Sequence, residues 1–119
     1  MSTKVLGIDE IVQNLFKAGE KWVAAKTLHH RFQVGEKHKL ASIKQALRKT
    51  TPPNGKKYWT RDDLEEVAYA SQDWKTFIDD YNQATEKMLT AKNDMDSWSN
   101  AFEARRSIMA TERTVAKGS

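Results

Sequence analysis

The sequence predicts an all-α protein, and three observations carry the prediction. Between residues 72 and 113, large and apolar side chains recur in alternating steps of three and four. Residues 8–32 carry a second, broader apolar stripe at helical spacing. No segment alternates apolar and polar residues with the period of two that a half-buried strand requires. The expected architecture is an N-terminal helical pair, a short connecting helix and one long heptad-patterned C-terminal helix that joins copies into an oligomer. A chain of 119 residues is one domain's worth of sequence. That domain is expected over 1–113, followed by a flexible tail over 114–119.

The first element is amphipathic. Ile8, Ile11, Val12, Leu15, Phe16, Trp22 and Val23, then Leu28 and Phe32, are its apolar positions. Asp9 and Glu10 stand in its first turn, where carboxylates suit the helix dipole. Residues 36–50, EKHKLASIKQALRKT, continue helically with Leu40, Ile43 and Leu47 as the apolar edge. Gly35 either breaks the two apart or is spanned. If it is spanned, Lys26, His30, Lys37, Lys44 and Arg48 fall on one face at about 100° per residue.

Thr51-Pro52-Pro53-Asn54-Gly55 ends the helical run, because proline cannot continue a helix and Asn-Gly readily takes positive φ. The basic-aromatic run Lys56, Lys57, Tyr58, Trp59, Thr60, Arg61 follows. Thr60 is placed to cap a short helix over 61–70, with Asp63 three residues on and Leu64 and Val67 turned inward. Ser71 or Asp73 then caps the long helix.

On that helix the stripe is Trp74, Phe77, Tyr81, Ala84, Met88, Ala91, Met95, Trp98, Phe102, Arg105 and Met109. A 3.5-residue repeat keeps one line of side chains facing a partner helix, in the same chain or in another copy. The run spans about 60 Å without Pro or Gly. Bulky residues alternating with alanine fit a non-identical surface better than a two-stranded zipper of identical helices. Phe77, Tyr81, Met88, Met95, Trp98, Phe102, Ile108 and Met109 are the expected oligomer contacts. Arg105 stands where an apolar residue was due, and a guanidinium there requires a partner or water, so either the stripe ends near Phe102 or Arg105 serves a contact.

Charge divides the chain. From Lys17 to Arg61 there are twelve bases against two acids, a net of +10; from Asp62 onward seven bases face twelve acids, a net of −5. Such asymmetry points to a polyanionic partner on the basic side. Hydrophobic residues make up 39% and charged residues 30%, so either the surface is heavily solvated or association completes the core. There is no cysteine, which excludes disulfides, thiol catalysis and cysteine zinc sites. The N-terminus has acids inside its apolar pattern and does not read as a signal peptide. No run reaches membrane-span length. The expected location is the cytoplasm, or the host cytoplasm if the protein is viral.

Catalysis finds little footing. His29, His30 and His38 are the only histidines, and their spacing does not converge on a metal. There is no HExxH, phosphate-binding glycine loop or serine-nucleophile motif. No cofactor or metal is expected and the protein is read as a non-enzyme. The basic half is the stronger signal. Lysines and arginines neutralise phosphates and release counterions, and neighbouring aromatic rings stack on unpaired bases. The candidate contacts are Lys26, His30, Lys37, Lys44, Arg48, Lys56, Lys57, Tyr58 and Arg61. Trp59 either stacks on bases or packs in the core, and core packing is the favoured role. Duplex-reading motifs are absent, so single strands fit better.

One order of features ties these parts together. An N-terminal helix carrying Trp22 leads to the basic helix EKHKLASIKQALRK. A Pro/Gly loop, the segment YWTRDDLEEV and a long helix ending SWSNAFEARRSIM follow. Over residues 20–109 this order resembles the UvsY-type recombination mediators of T-even-like phages. The resemblance implies a small helical protein that binds single-stranded DNA and assembles into a ring-like oligomer. It further implies loosening of the single-strand-binding protein's coat and loading of a RecA-like recombinase. The family's DNA-contacting bases map to Lys44 and Arg48, and its assembly helix to Trp98, Phe102, Ile108 and Met109. The chain departs from the family by being shorter and by carrying Arg105-Arg106 in place of a glycine, which leaves the oligomer number open. The competing reading is a helical adaptor or inhibitor that docks an acidic protein; a structural or packaging component is the third.

Overall fold

Proline-free stretches with carboxylates in their first turns fold here into three α-helices, and the two long ones also end on a base. The computed structural model describes residues 7–118. The expectations for the first six residues and for Ser119 lie outside the described residues. Helix α1 is Ile8–Leu47, α2 is Arg61–Ala70 and α3 is Gln72–Gly118; no strand occurs among the described residues. The two N-terminal helical segments run together into α1, which is unbroken through Gly35. A Cβ at Gly35 would meet nothing within 4 Å, so no neighbour in the chain requires a glycine there. Asp9 and Glu10 in the first turn and Lys44 in the last complement the dipole of α1. The described part of the expected tail is helical: α3 continues to Gly118, with exposed side chains from Thr114 to Lys117.

Two compact units divide the chain. One is residues Thr27–Glu86; the other combines the described residues up to Lys26 with those from Lys87 onward. In the first unit the end of α1, the loop, α2 and the start of α3 surround one core. Ile43, Ala68 and Trp74 are its buried centre, with Leu40, Leu47, Phe77 and Ile78 packed on them. Aromatic rings extend this core along α3. Trp74 stacks on Phe77 at 5.5 Å, Phe77 meets Phe32 at 5.6 Å, and Tyr81 meets Phe32 at 5.9 Å and His29 at 5.4 Å. Such pairs add about 0.5–1.5 kcal/mol each beyond the area they bury.

The connections are tightly specified. Thr50 Oγ donates to the Leu47 carbonyl at 2.6 Å as α1 ends. Asn54 and Gly55 both take positive φ, 59° and 69°, which lets the chain reverse within a three-residue 3-10 turn, Pro53–Gly55. Thr60 caps α2 by accepting from the Asp63 N–H at 3.1 Å. One hydroxyl links the last two helices: Ser71 Oγ donates to the Ala68 carbonyl at 2.6 Å and accepts from the Trp74 N–H at 3.2 Å. Of the two caps expected for α3, Ser71 is the one that forms this bond. On α2, Leu64 and Ala68 are buried and Val67 is half-buried.

In the other unit, the start of α1 lies along the later part of α3. The covered line on α1 is Ile8, Ile11, Leu15, Ala18, Trp22 and Ala25, with Asn14 and Gly19 half-buried beside it; that on α3 includes Met88, Ala91, Met95, Trp98, Phe102, Arg105 and Met109. Both series advance in steps of three and four, the narrow seam that one helix presents to one partner. The broader apolar face expected on α1 is corrected accordingly. Val12, Phe16 and Val23 are 45%, 68% and 57% exposed, and in the Thr27–Glu86 unit Leu28 is 40% exposed. A single neighbouring helix covers a seam rather than a face, so the outer half of the apolar stripe stays in solvent.

Candidate nucleic-acid interface

Because α1 is continuous, His30, Lys37, Lys44 and Arg48 lie within about 40° of one another around its axis. That face is a quarter-turn from the packed line of Phe32, Leu40, Ile43 and Leu47, which keeps His30, Lys37 and Arg48 exposed and half-buries Lys44. The loop and α2 then bring further bases to the C-terminal end of the face. One hollow of about 370 Å³ is lined by Lys44, Arg48, Trp59, Arg61 and Leu64. A second, of about 270 Å³, is lined by Arg48, Thr50, Pro52, Lys57, Tyr58, Trp59 and Leu64. They share Arg48, Trp59 and Leu64, so four cations gather around one tryptophan.

Neutralisation of this cluster is partial. Glu65 reaches Lys44 at 3.4 Å and Arg61 at 3.7 Å, so a single carboxylate serves two cations. Arg48 and Lys57 have no ion pair among the described residues. Lys56 is different: its ammonium donates to Asp63 at 2.8 Å. That bond, with a second from the Thr60 hydroxyl, holds the Asp63 carboxyl below the usual aspartate range. Lys56 is thereby committed to fixing the loop on α2.

The two aromatic residues separate by role. Trp59 is half-buried, and its indole N–H donates to the Thr50 carbonyl at 3.0 Å, tying the loop to the end of α1. Tyr58 is 79% exposed at the rim of the smaller hollow, where its ring is open to a ligand. The arrangement can hold an anion against Arg48, Lys57 and Arg61 while an unpaired base stacks on Tyr58.

The structure thus brings together Lys44, Arg48, Lys57, Tyr58 and Arg61. It sets Lys37 and His30 along α1, about 16 Å and 27 Å of helix from Arg48. Lys26 belongs to the other unit, where its ammonium lies 4.8 Å from the ring centre of Trp22. Glu65 and Thr50 were not identified from the sequence, and Leu64 was placed inward without being tied to the basic cluster. Only the Glu65 to Arg61 spacing of four, typical of a helix ion pair, could have flagged one of them.

The expected oligomer contacts are engaged largely inside the chain. Phe77 and Tyr81 pack on Phe32 and His29. Met88, Met95, Trp98, Phe102 and Met109 stand on the covered line of α3, and Ile108 lies off it, 49% exposed. The heptad stripe therefore has its partner helix in α1. No protein-family model matches the chain, and no curated protein or solved structure matches it. The likeness to UvsY-type mediators accordingly rests on the order of features in the sequence.

Proposed function

We propose that the protein is a non-enzymatic accessory factor that binds single-stranded nucleic acid, single-stranded DNA above all. The cluster of Lys44, Arg48, Lys57 and Arg61 around Trp59, with one carboxylate among four cations and Tyr58 exposed at its rim, carries the reading. In this mechanism the cations neutralise successive phosphates and Tyr58 stacks on a base. Lys37 and His30 extend the track along α1, and multiple copies on one strand add avidity. The cellular role proposed is the one the resemblance implies: assistance to a RecA-like recombinase in displacing single-strand-binding protein.

Tyr58→Ala tests the stacking step. Affinity for oligothymidylate is expected to fall by about 1–3 kcal/mol while affinity for duplex of equal length stays constant. Equal losses on both, or none, remove stacking from the account. Retention of an acidic peptide without any binding of oligonucleotide puts the adaptor reading in its place.

A further inference from the structure

The outer stripe of α1 has a symmetry that its packed seam lacks. Asp9, Val12, Phe16, Gly19, Val23 and Lys26 follow one another in steps of three, four, three, four and three. All six lie in one unit, and all are exposed except the half-buried Gly19. Phe16 is 68% exposed, and with Gly19 and Val23 it lines an open apolar groove of about 610 Å³. Read from either end, the stripe runs charge, valine, centre, valine, charge, with the two charges opposite in sign. The centre is one large residue beside one that has no side chain.

We propose that this stripe is a docking surface for a second copy of the chain, with the two α1 helices antiparallel about a two-fold axis. In that register Phe16 of each copy seats over Gly19 of the other, Val12 meets Val23, and Asp9 meets Lys26. Each contact occurs twice, as an isologous interface requires. A parallel arrangement sets Asp9 against Asp9, Lys26 against Lys26 and Phe16 against Phe16, and leaves an empty space at the paired glycines. Charge and size complementarity therefore select both the partner and its direction.

Gly19 supports the assignment from another side. Its own fold does not need it: a Cβ there meets nothing within 4 Å and its φ is not positive. Glycine within a helix weakens the helix relative to alanine. Space kept open at that cost fits the close approach of another helix. The surface is separate from the hollows around Trp59 and does not rest on the nucleic-acid reading.

The test is sedimentation equilibrium of the full chain without oligonucleotide, over a concentration series, with helicity followed by circular dichroism. The wild-type chain is expected to reach the mass of two copies. Gly19→Gln is expected to keep its helicity and to sediment as one copy at every concentration. Asp9→Lys is expected to weaken association at least tenfold, and Asp9→Lys with Lys26→Asp to restore it. A monomeric wild-type chain, or assembly undisturbed by Gly19→Gln, overturns the proposal. Loss of assembly in Gly19→Gln without restoration in the double charge swap overturns the antiparallel register.

Discussion

Arg105 shows how far one side chain can depart from the rule its neighbours obey. It occupies a seam position of α3, is half-buried, and leaves its Nε without a hydrogen-bond partner. An unsatisfied buried donor costs about 1–3 kcal/mol. Arg105→Met keeps the length of the side chain and removes the donor, so it is expected to raise stability by about 1 kcal/mol in urea unfolding. A loss of stability instead means that the guanidinium has a partner. Asp63 makes the opposite case, since its charge is held by Lys56 and Thr60. A carboxyl with a lowered folded pKa contributes stability that is full above the ordinary aspartate value of about 4 and is lost as pH falls through the folded value. The difference in unfolding midpoint between the wild type and Asp63→Asn is therefore expected to be constant near neutrality and to shrink below about pH 4. A difference that persists unchanged in acid refutes the charge as its cause. Thr60→Ala removes the cap itself and is expected to cost about 1 kcal/mol. Arg105 and the Thr60 cap were both legible in the sequence, because a helix stripe and a capping position are local patterns. The Lys44 to Glu65 pair was not: it joins residues 21 apart, and only the packing of α2 beside α1 creates it.

At the scale of elements, the two long helices were unequally legible. Every position of the α3 stripe from Trp74 to Met109 is covered in the structure, with Ile78, Thr85 and Ala101 half-buried beside it, since bulky residues in alternating steps leave one phase open. On α1 the same rhythm is masked. Ala18, Ala25 and His29 occupy seam positions, while the more apolar Val12, Phe16 and Val23 lie outside it. Hydrophobicity alone therefore draws the face too wide. Gly35 left two outcomes open, and the unbroken α1 decides between them. With open space around its Cβ position, Gly35→Ala is expected to stabilise the protein by about 1 kcal/mol. A destabilised variant contradicts a continuous helix at that point. Trp74 is the reverse case. It is buried between Tyr69 and Phe77, and Trp74→Ala is expected to cost about 3–5 kcal/mol by thermal unfolding.

Across the whole molecule, the division of charge has a structural counterpart. The +10 segment supplies most of α1, the loop and the first residue of α2, and four of its bases converge around Trp59. Sequence reasoning found the basic residues by counting. It could not show that Lys56 is spent on Asp63, and it left open whether Gly35 lets His30 share one face with Lys37, Lys44 and Arg48. Among the described residues no helix is long and apolar enough to cross a membrane.

The most direct measurement follows oligothymidylate binding by fluorescence anisotropy over a salt series, for the wild type and for Arg48→Ala with Lys57→Ala. With Glu65 offsetting one of the four cations, three phosphates neutralised per copy give a slope of log affinity on log salt of about −2, and removing Arg48 and Lys57 brings it to about −0.7. Affinity that does not change with salt, or a slope identical in the two proteins, contradicts a phosphate-binding role for the cluster around Trp59.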